Sequence, residues 1–210
     1  MPQLESRLFL VTDRHQTNGR PLVPLLQRVL TAGVPAIQLR ERDLSAKELV
    51  TLAREVQAMM ASHRSQLLIN DRIDVALALE GVGVHLRSNS LPVSVARQLL
   101  GAQRLLGISV HAVEEAVQVE SQGVDYIVLG PIYETPTKQM FGPPLGIQTL
   151  EKACRLVRIP IIGIGGVTAA RVREMRCAGA FGVAVITAVL GAVNVESAVR
   201  ELLDAVTLIP

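Results

Sequence analysis

The chain has 210 residues, 49% of them hydrophobic, with 21 Lys and Arg set against 19 Asp and Glu. That length suits one domain with a large core, and a net charge of +2 provides no basic field of the kind that binds nucleic acid or an acidic membrane surface. With three Phe, two Tyr and no Trp, the core must be filled by Val, Ile, Leu and Ala, the shapes that the interiors of α/β barrels favour.

In chain order, short β-rich runs occur at 8–12 (LFLVT), 36–40 (AIQLR), 67–70 (LLIN), 83–86 (GVHL), 105–109 (LLGIS), 126–130 (YIVLG), 159–165 (IPIIGIG) and 182–187 (GVAVIT). Each is too short for a helix and too apolar for a loop. Between them apolar residues recur at helical spacing, as in Leu22, Leu25, Leu26, Val29 and Leu30, or Val195, Ala198, Val199, Leu202 and Leu203. Near-continuous apolar strands joined by helices describe a parallel sheet covered on both faces. Eight such units predict a single (β/α)8 TIM barrel over residues 1–210, with an open doubly wound sheet as the alternative. The first apolar run is closed by Asp13 and Arg14, unlike a secretory leader. No window approaches the roughly 18 apolar residues of a membrane helix. Cys154 and Cys177 lack metal-ligand spacing and read as packed thiols, so a cytoplasmic protein is expected.

Active sites of such barrels form at the C-terminal ends of the strands. The residues there are polar: Asp13, Gln38, Arg40, Asn70, Asp71, His85, Ser109, His111, the threonines of 134–138, Gly165, Gly166 and Thr187. Solvent alone accounts for part of this polarity, but less well for Arg40. GIGG (163–166) followed by VIT (185–187) is the strongest signal, because glycine turns let amides approach an anion and Thr168 can cap the next helix. Arg40, Arg42 and Lys138 suggest a second anionic subsite, with Arg42 read as surface charge. Thr135 and Thr137 flank Pro136 in a long loop, 134–146, that is expected to act as a lid.

These motifs, taken with LVTDR (10–14), QLRER (38–42), INDRIDVAL (69–77), SVHAVEEA (109–116) and DYIVLGPIYETPTK (125–138), resemble the thiamine phosphate synthase family and its TenI-type thiazole tautomerase relatives. The resemblance implies a TIM barrel acting in thiamine synthesis on a small phosphorylated substrate: thiazole phosphate, together with a pyrimidine diphosphate if the chain is a synthase. It places Gln38, Arg40, Asn70 and Lys138 at a pyrophosphate, with Gly165, Gly166, Ile186 and Thr187 at the thiazole phosphate. Ser109, Thr135 and Thr137 join these as substrate-binding candidates. A homo-oligomer is among the expectations.

For a synthase the resemblance also implies Mg²⁺, which no other feature calls for. Only Asp71 matches a metal carboxylate. Ser90 stands where a second one would fall, and Arg87 adds a cation at the same turn. That loss, and Glu134, favour the metal-free tautomerase, which needs an acid/base group; Pro131 occupies the place of its usual histidine, leaving His85 and His111 as candidates. A synthase is the alternative, and a non-catalytic ligand sensor a further one.

Overall fold

In the computed structural model, which describes residues 4–135 and 143–207, strands and helices alternate from one end to the other. The strands are β1 Leu8–Val11, β2 Ala36–Leu39, β3 Gln66–Asn70, β4 Gly83–Leu86, β5 Leu106–Val110, β6 Tyr126–Leu129, β7 Ile161–Ile164 and β8 Gly182–Val185. All pair in parallel with their sequence neighbours, and β1 pairs with β8, so the sheet closes into a barrel. The chain is therefore a (β/α)8 TIM barrel, and the open-sheet alternative is set aside. The intervening helices are α1 Leu22–Thr31, α2 Ala46–Met60, α3 Ile73–Leu77, α4 Val93–Leu100, α5 Val113–Glu120, α6 Gly146–Leu156 and α7 Ala169–Cys177, followed after β8 by α8 Thr187–Leu190 and α9 Val195–Thr207.

The period of two along each strand divides the core into two apolar layers. Leu8, Leu10, Ile37, Leu39, Ile69, Val84, Leu106 and Ile127 belong to the layer shared with the helices. Phe9, Val11, Ala36, Leu68, Tyr126, Val128, Ile162 and Ala184 belong to a separate cluster inside the barrel. Two of the few aromatic rings are spent here, Phe9 and Tyr126 lying 5.4 Å apart between centroids. Space for the Tyr126 ring comes from Gly107 on the next strand, where an added Cβ would lie 2.1 Å from Tyr126 Cζ.

Local signals explain the element ends. Ser45 and Glu48 form a reciprocal capping box at the start of α2. Thr168 occupies the N-cap of α7, as its position suggests, but its hydroxyl makes no capping bond. The eighth run is shorter than the pattern implies, because the chain leaves the sheet at Ile186 and enters α8. Cys154 is half-buried, which pushes its thiol up to about 11, whereas Cys177 is exposed at the end of α7 and is not the packed thiol that its context suggested. Among the described residues no helix is long and apolar enough to cross a membrane.

Candidate active site

At the ends of β2, β3 and β4 the inward positions change from apolar to polar. Gln38 and Asn70 are buried, and the Gln38 Nε2 amide donates to Asn70 Oδ1 at 3.0 Å. Arg40 follows directly after β2 and its backbone N–H donates to the Thr12 hydroxyl at 2.9 Å. That hydroxyl in turn donates to the buried Glu41 carboxylate at 2.6 Å. Glu41 also accepts from the Arg14 backbone N–H at 3.1 Å, while the Arg14 guanidinium reaches Asp43 at 2.7 Å. Arg14 is thus committed to the scaffold. Among the described residues the Arg40 guanidinium meets only Asp13, at 3.5 Å, a long contact with which an anion can compete. Arg42 is exposed, in keeping with surface charge.

Below this rim, His85 is buried with both ring nitrogens engaged: Nδ1 lies 2.9 Å from the Tyr126 hydroxyl and Nε2 lies 2.8 Å from Ser109 Oγ. Burial holds the imidazole down at about 3, so it is neutral near pH 7, and burial likewise raises the Tyr126 phenol. With one donor and one acceptor nitrogen, His85 offers no free lone pair at the mouth and instead fixes the Ser109 hydroxyl. The acid/base role read for His85 from the sequence has no exposed nitrogen to perform it. His111, by contrast, is exposed after β5, with Nδ1 2.5 Å from the Gly130 carbonyl. A carbonyl only accepts, so Nδ1 carries a proton and Nε2 is the nitrogen left to act.

Burial of His85 has a pH signature. Below about pH 6.5 the unfolded chain takes up a proton that the folded ring refuses until about pH 3, so stability falls with falling pH across that window. This one group contributes a slope of up to about 1.4 kcal/mol per pH unit. Urea unfolding should therefore show stability dropping faster between about pH 6.5 and 4.5 in the wild type than in His85→Gln. Equal slopes would remove His85 from the pH dependence.

On the opposite side of the mouth, β7 and β8 run side by side with Ile164 opposite Ala184, which brings the turn at Gly165 and Gly166 next to Ile186 and Thr187. Both glycines have positive φ, +98° and +63°, and the β6 segment lies on them. The Ile132 and Tyr133 backbone N–H groups donate to the carbonyls of Ile164 and Gly165 at 2.8 and 3.2 Å. The Arg171 guanidinium lies 4.5 Å from the Tyr133 ring centroid and donates to the Gly166 carbonyl, while the Tyr133 hydroxyl donates to Glu174 at 2.6 Å. Burial, with Glu174 beside it, pushes the Tyr133 phenol up to about 12. Gly165, Gly166 and Ile186 are partly buried and Thr187 is exposed, so all four reach the rim. Thr135 is partly buried at the end of the described β6 segment. Thr137 and Lys138 lie outside the described residues, as does much of the expected lid.

Asp71 is a left-handed residue, φ +64°, just past β3. Its Oδ2 accepts from Arg87 Nε at 2.9 Å and its Oδ1 accepts from the Ser90 hydroxyl. Ser90 also accepts from the Arg87 backbone N–H at 2.8 Å, so the β4 turn closes on Asp71. A protein-held Mg²⁺ does not fit these side chains, because it would have to displace a guanidinium from the carboxylate and would gain only a neutral hydroxyl as second ligand. Among the described residues no group of three or more His, Cys, Asp or Glu is arranged to hold a metal.

Thr12 and Glu41, which secure Arg40, and Tyr126 and Tyr133, which support Ser109 and the glycine turn, are not singled out by any sequence motif. The burial that obliges the Glu41 carboxylate to find partners appears only in the fold.

The chain is 41% identical over 203 residues to a putative thiamine-phosphate synthase of Geobacter sulfurreducens, covering 97% of this chain and 95% of that one. It is also 41% identical over 207 residues to the thiamine-phosphate synthase of Moorella thermoacetica, covering 99% and 98%. The solved thiamine phosphate pyrophosphorylase of Pyrococcus furiosus superposes with a TM-score of 0.87 at 31% identity over 96% of both chains. The thiamine monophosphate synthase family model matches residues 8–189, so the barrel, its polar rim and its glycine turn belong to an enzyme of that family.

Proposed function

We propose that the chain is a thiamine-phosphate synthase, joining a hydroxymethylpyrimidine diphosphate to a thiazole phosphate with release of pyrophosphate. The observation that carries this reading is two groups of polar residues on opposite sides of one mouth, each suited to an anion: Arg40 with the Gln38–Asn70 pair over β2 and β3, and the Gly165–Gly166 turn with Ile186 and Thr187 over β7 and β8. The first group suits the several oxygens of a diphosphate, whereas the phosphorylated thiazole carboxylate of an isomerase would bring only a single carboxylate to it. This reverses the preference for the tautomerase drawn from the Ser90 position, and relatives at about 40% identity that carry the synthase name support it.

In the coupling step the C–O bond between the pyrimidine methylene and the diphosphate breaks, and its electron pair leaves on the pyrophosphate oxygen. The thiazole nitrogen lone pair forms the new C–N bond, giving a thiazolium without proton loss. The protein's task is to hold both anions, to orient the nitrogen toward the methylene, and to stabilise charge on the leaving group. Arg40 and the two amides serve the leaving group. Ser109, fixed by His85, supplies a hydroxyl between the two anions. The reading carries with it a soluble cytoplasmic enzyme whose partners are these small phosphorylated molecules.

Metal-free thiazole isomerisation is the second reading, favoured by the open Nε2 of His111. Incubating the protein with both coupling substrates, and separately with the non-aromatic thiazole carboxylate tautomer, separates the two. Thiamine phosphate formation without isomerisation is expected. Isomerisation without coupling would transfer the function to the second reading.

A further inference from the structure

Resting on the synthase reading, we propose that Arg87 is a resident cation of the diphosphate site, held on Asp71 and Ser90 in place of a carboxylate-bound metal. The ends of β2, β3 and β4 are adjacent in the barrel and carry Arg40, Asn70 with Asp71, and Arg87 in that order. Arg87 uses Nε for Asp71, which leaves the two terminal amino groups of its planar fork, the part suited to phosphate oxygens. Its side chain is 41% exposed, and the ion pair restrains this long side chain before any ligand arrives.

The left-handed φ of Asp71 points the same way. A non-glycine residue in that region persists where surrounding bonds hold it, and here they are the Arg87 and Ser90 contacts and the Asp71 backbone N–H on the His85 carbonyl at 2.9 Å. The charges also balance. A divalent ion between two carboxylates is locally neutral, and a guanidinium on one carboxylate is locally neutral too. Exchanging the second carboxylate for Ser90 and adding Arg87 therefore leaves the local net charge unchanged while turning the cation into part of the protein. In the coupling step Arg87 receives negative charge on the departing pyrophosphate through N–H donation and exchanges no proton.

The test is calorimetric binding of inorganic pyrophosphate to the full chain in EDTA and in Mg²⁺, alongside the coupling assay. Wild type should bind in EDTA within about threefold of its Mg²⁺ affinity, and Arg87→Gln should lose about tenfold or more in EDTA, the loss expected for one charge-assisted bond. Arg87→Lys, which keeps the charge but not the fork, should fall between, and circular dichroism checks that each variant folds. The double variant Ser90→Asp with Arg87→Gly should bind only with Mg²⁺. Loss of wild-type binding in EDTA, or unchanged binding in a folded Arg87→Gln, would overturn the proposal. If pyrophosphate binds through Arg87 but no coupling occurs, the synthase reading fails and this one stands; coupling that requires Mg²⁺, with no metal-free pyrophosphate binding, gives the reverse.

Discussion

Replacing Gly166 with valine is expected to abolish measurable thiazole phosphate binding. An added Cβ would lie 2.7 Å from the Glu134 carbonyl oxygen and 2.7 Å from Tyr133 Cβ, at a φ of +63° that a β-branched residue does not adopt. The turn and the β6 segment above it would have to separate, withdrawing the amides proposed to hold the phosphate. Each charge-assisted bond lost should cost on the order of 1.5–3 kcal/mol, about tenfold to a hundredfold in affinity. Calorimetric titration with thiazole phosphate measures this, and pyrophosphate binding on the far side of the mouth should persist as the internal control. Unchanged thiazole phosphate affinity would place that site elsewhere.

The largest effect on stability is expected from Gly107→Ala. Its Cβ would fall 2.1 Å from Tyr126 Cζ, within a ring that packs on Phe9 and bonds His85. A buried ring between strands has little room to yield, so the variant should lose about 3 kcal/mol, at the upper end of ordinary overpacking. For a domain of this size that is a fall of roughly 6–12 °C in Tm. Because Tyr126 holds His85 and His85 holds Ser109, coupling should weaken at temperatures where the variant is still folded. A Tm within a degree or two of wild type would show that the ring can move aside.

The barrel was legible because its signals are local and repeated. Runs such as LFLVT and YIVLG alternate with helical spacing throughout, and the paired strands lie at the runs read from the sequence. The glycine turn was legible for the same reason, since GIGG at a strand end leaves few backbone options. What escaped was the partnership of side chains distant in sequence. His85 reads as a strand-end histidine, but its neutrality follows from burial against Tyr126, 41 residues away. Arg87 and Ser90 read as two losses from a metal site, whereas the folded β4 turn places both on Asp71 as one clasp. The tautomerase preference drawn from Ser90 and Glu134 took those two losses singly, and the clasp that joins them on Asp71 became visible only in the fold.

Coupling by this barrel is read most directly by quantitative phosphorus NMR of the protein with equimolar pyrimidine diphosphate and thiazole phosphate. The diphosphate signals should decay while pyrophosphate and thiamine phosphate rise in equal amounts. Pyrophosphate released without matching thiamine phosphate, or both substrates left intact by a protein that isomerises the thiazole carboxylate tautomer, would contradict it.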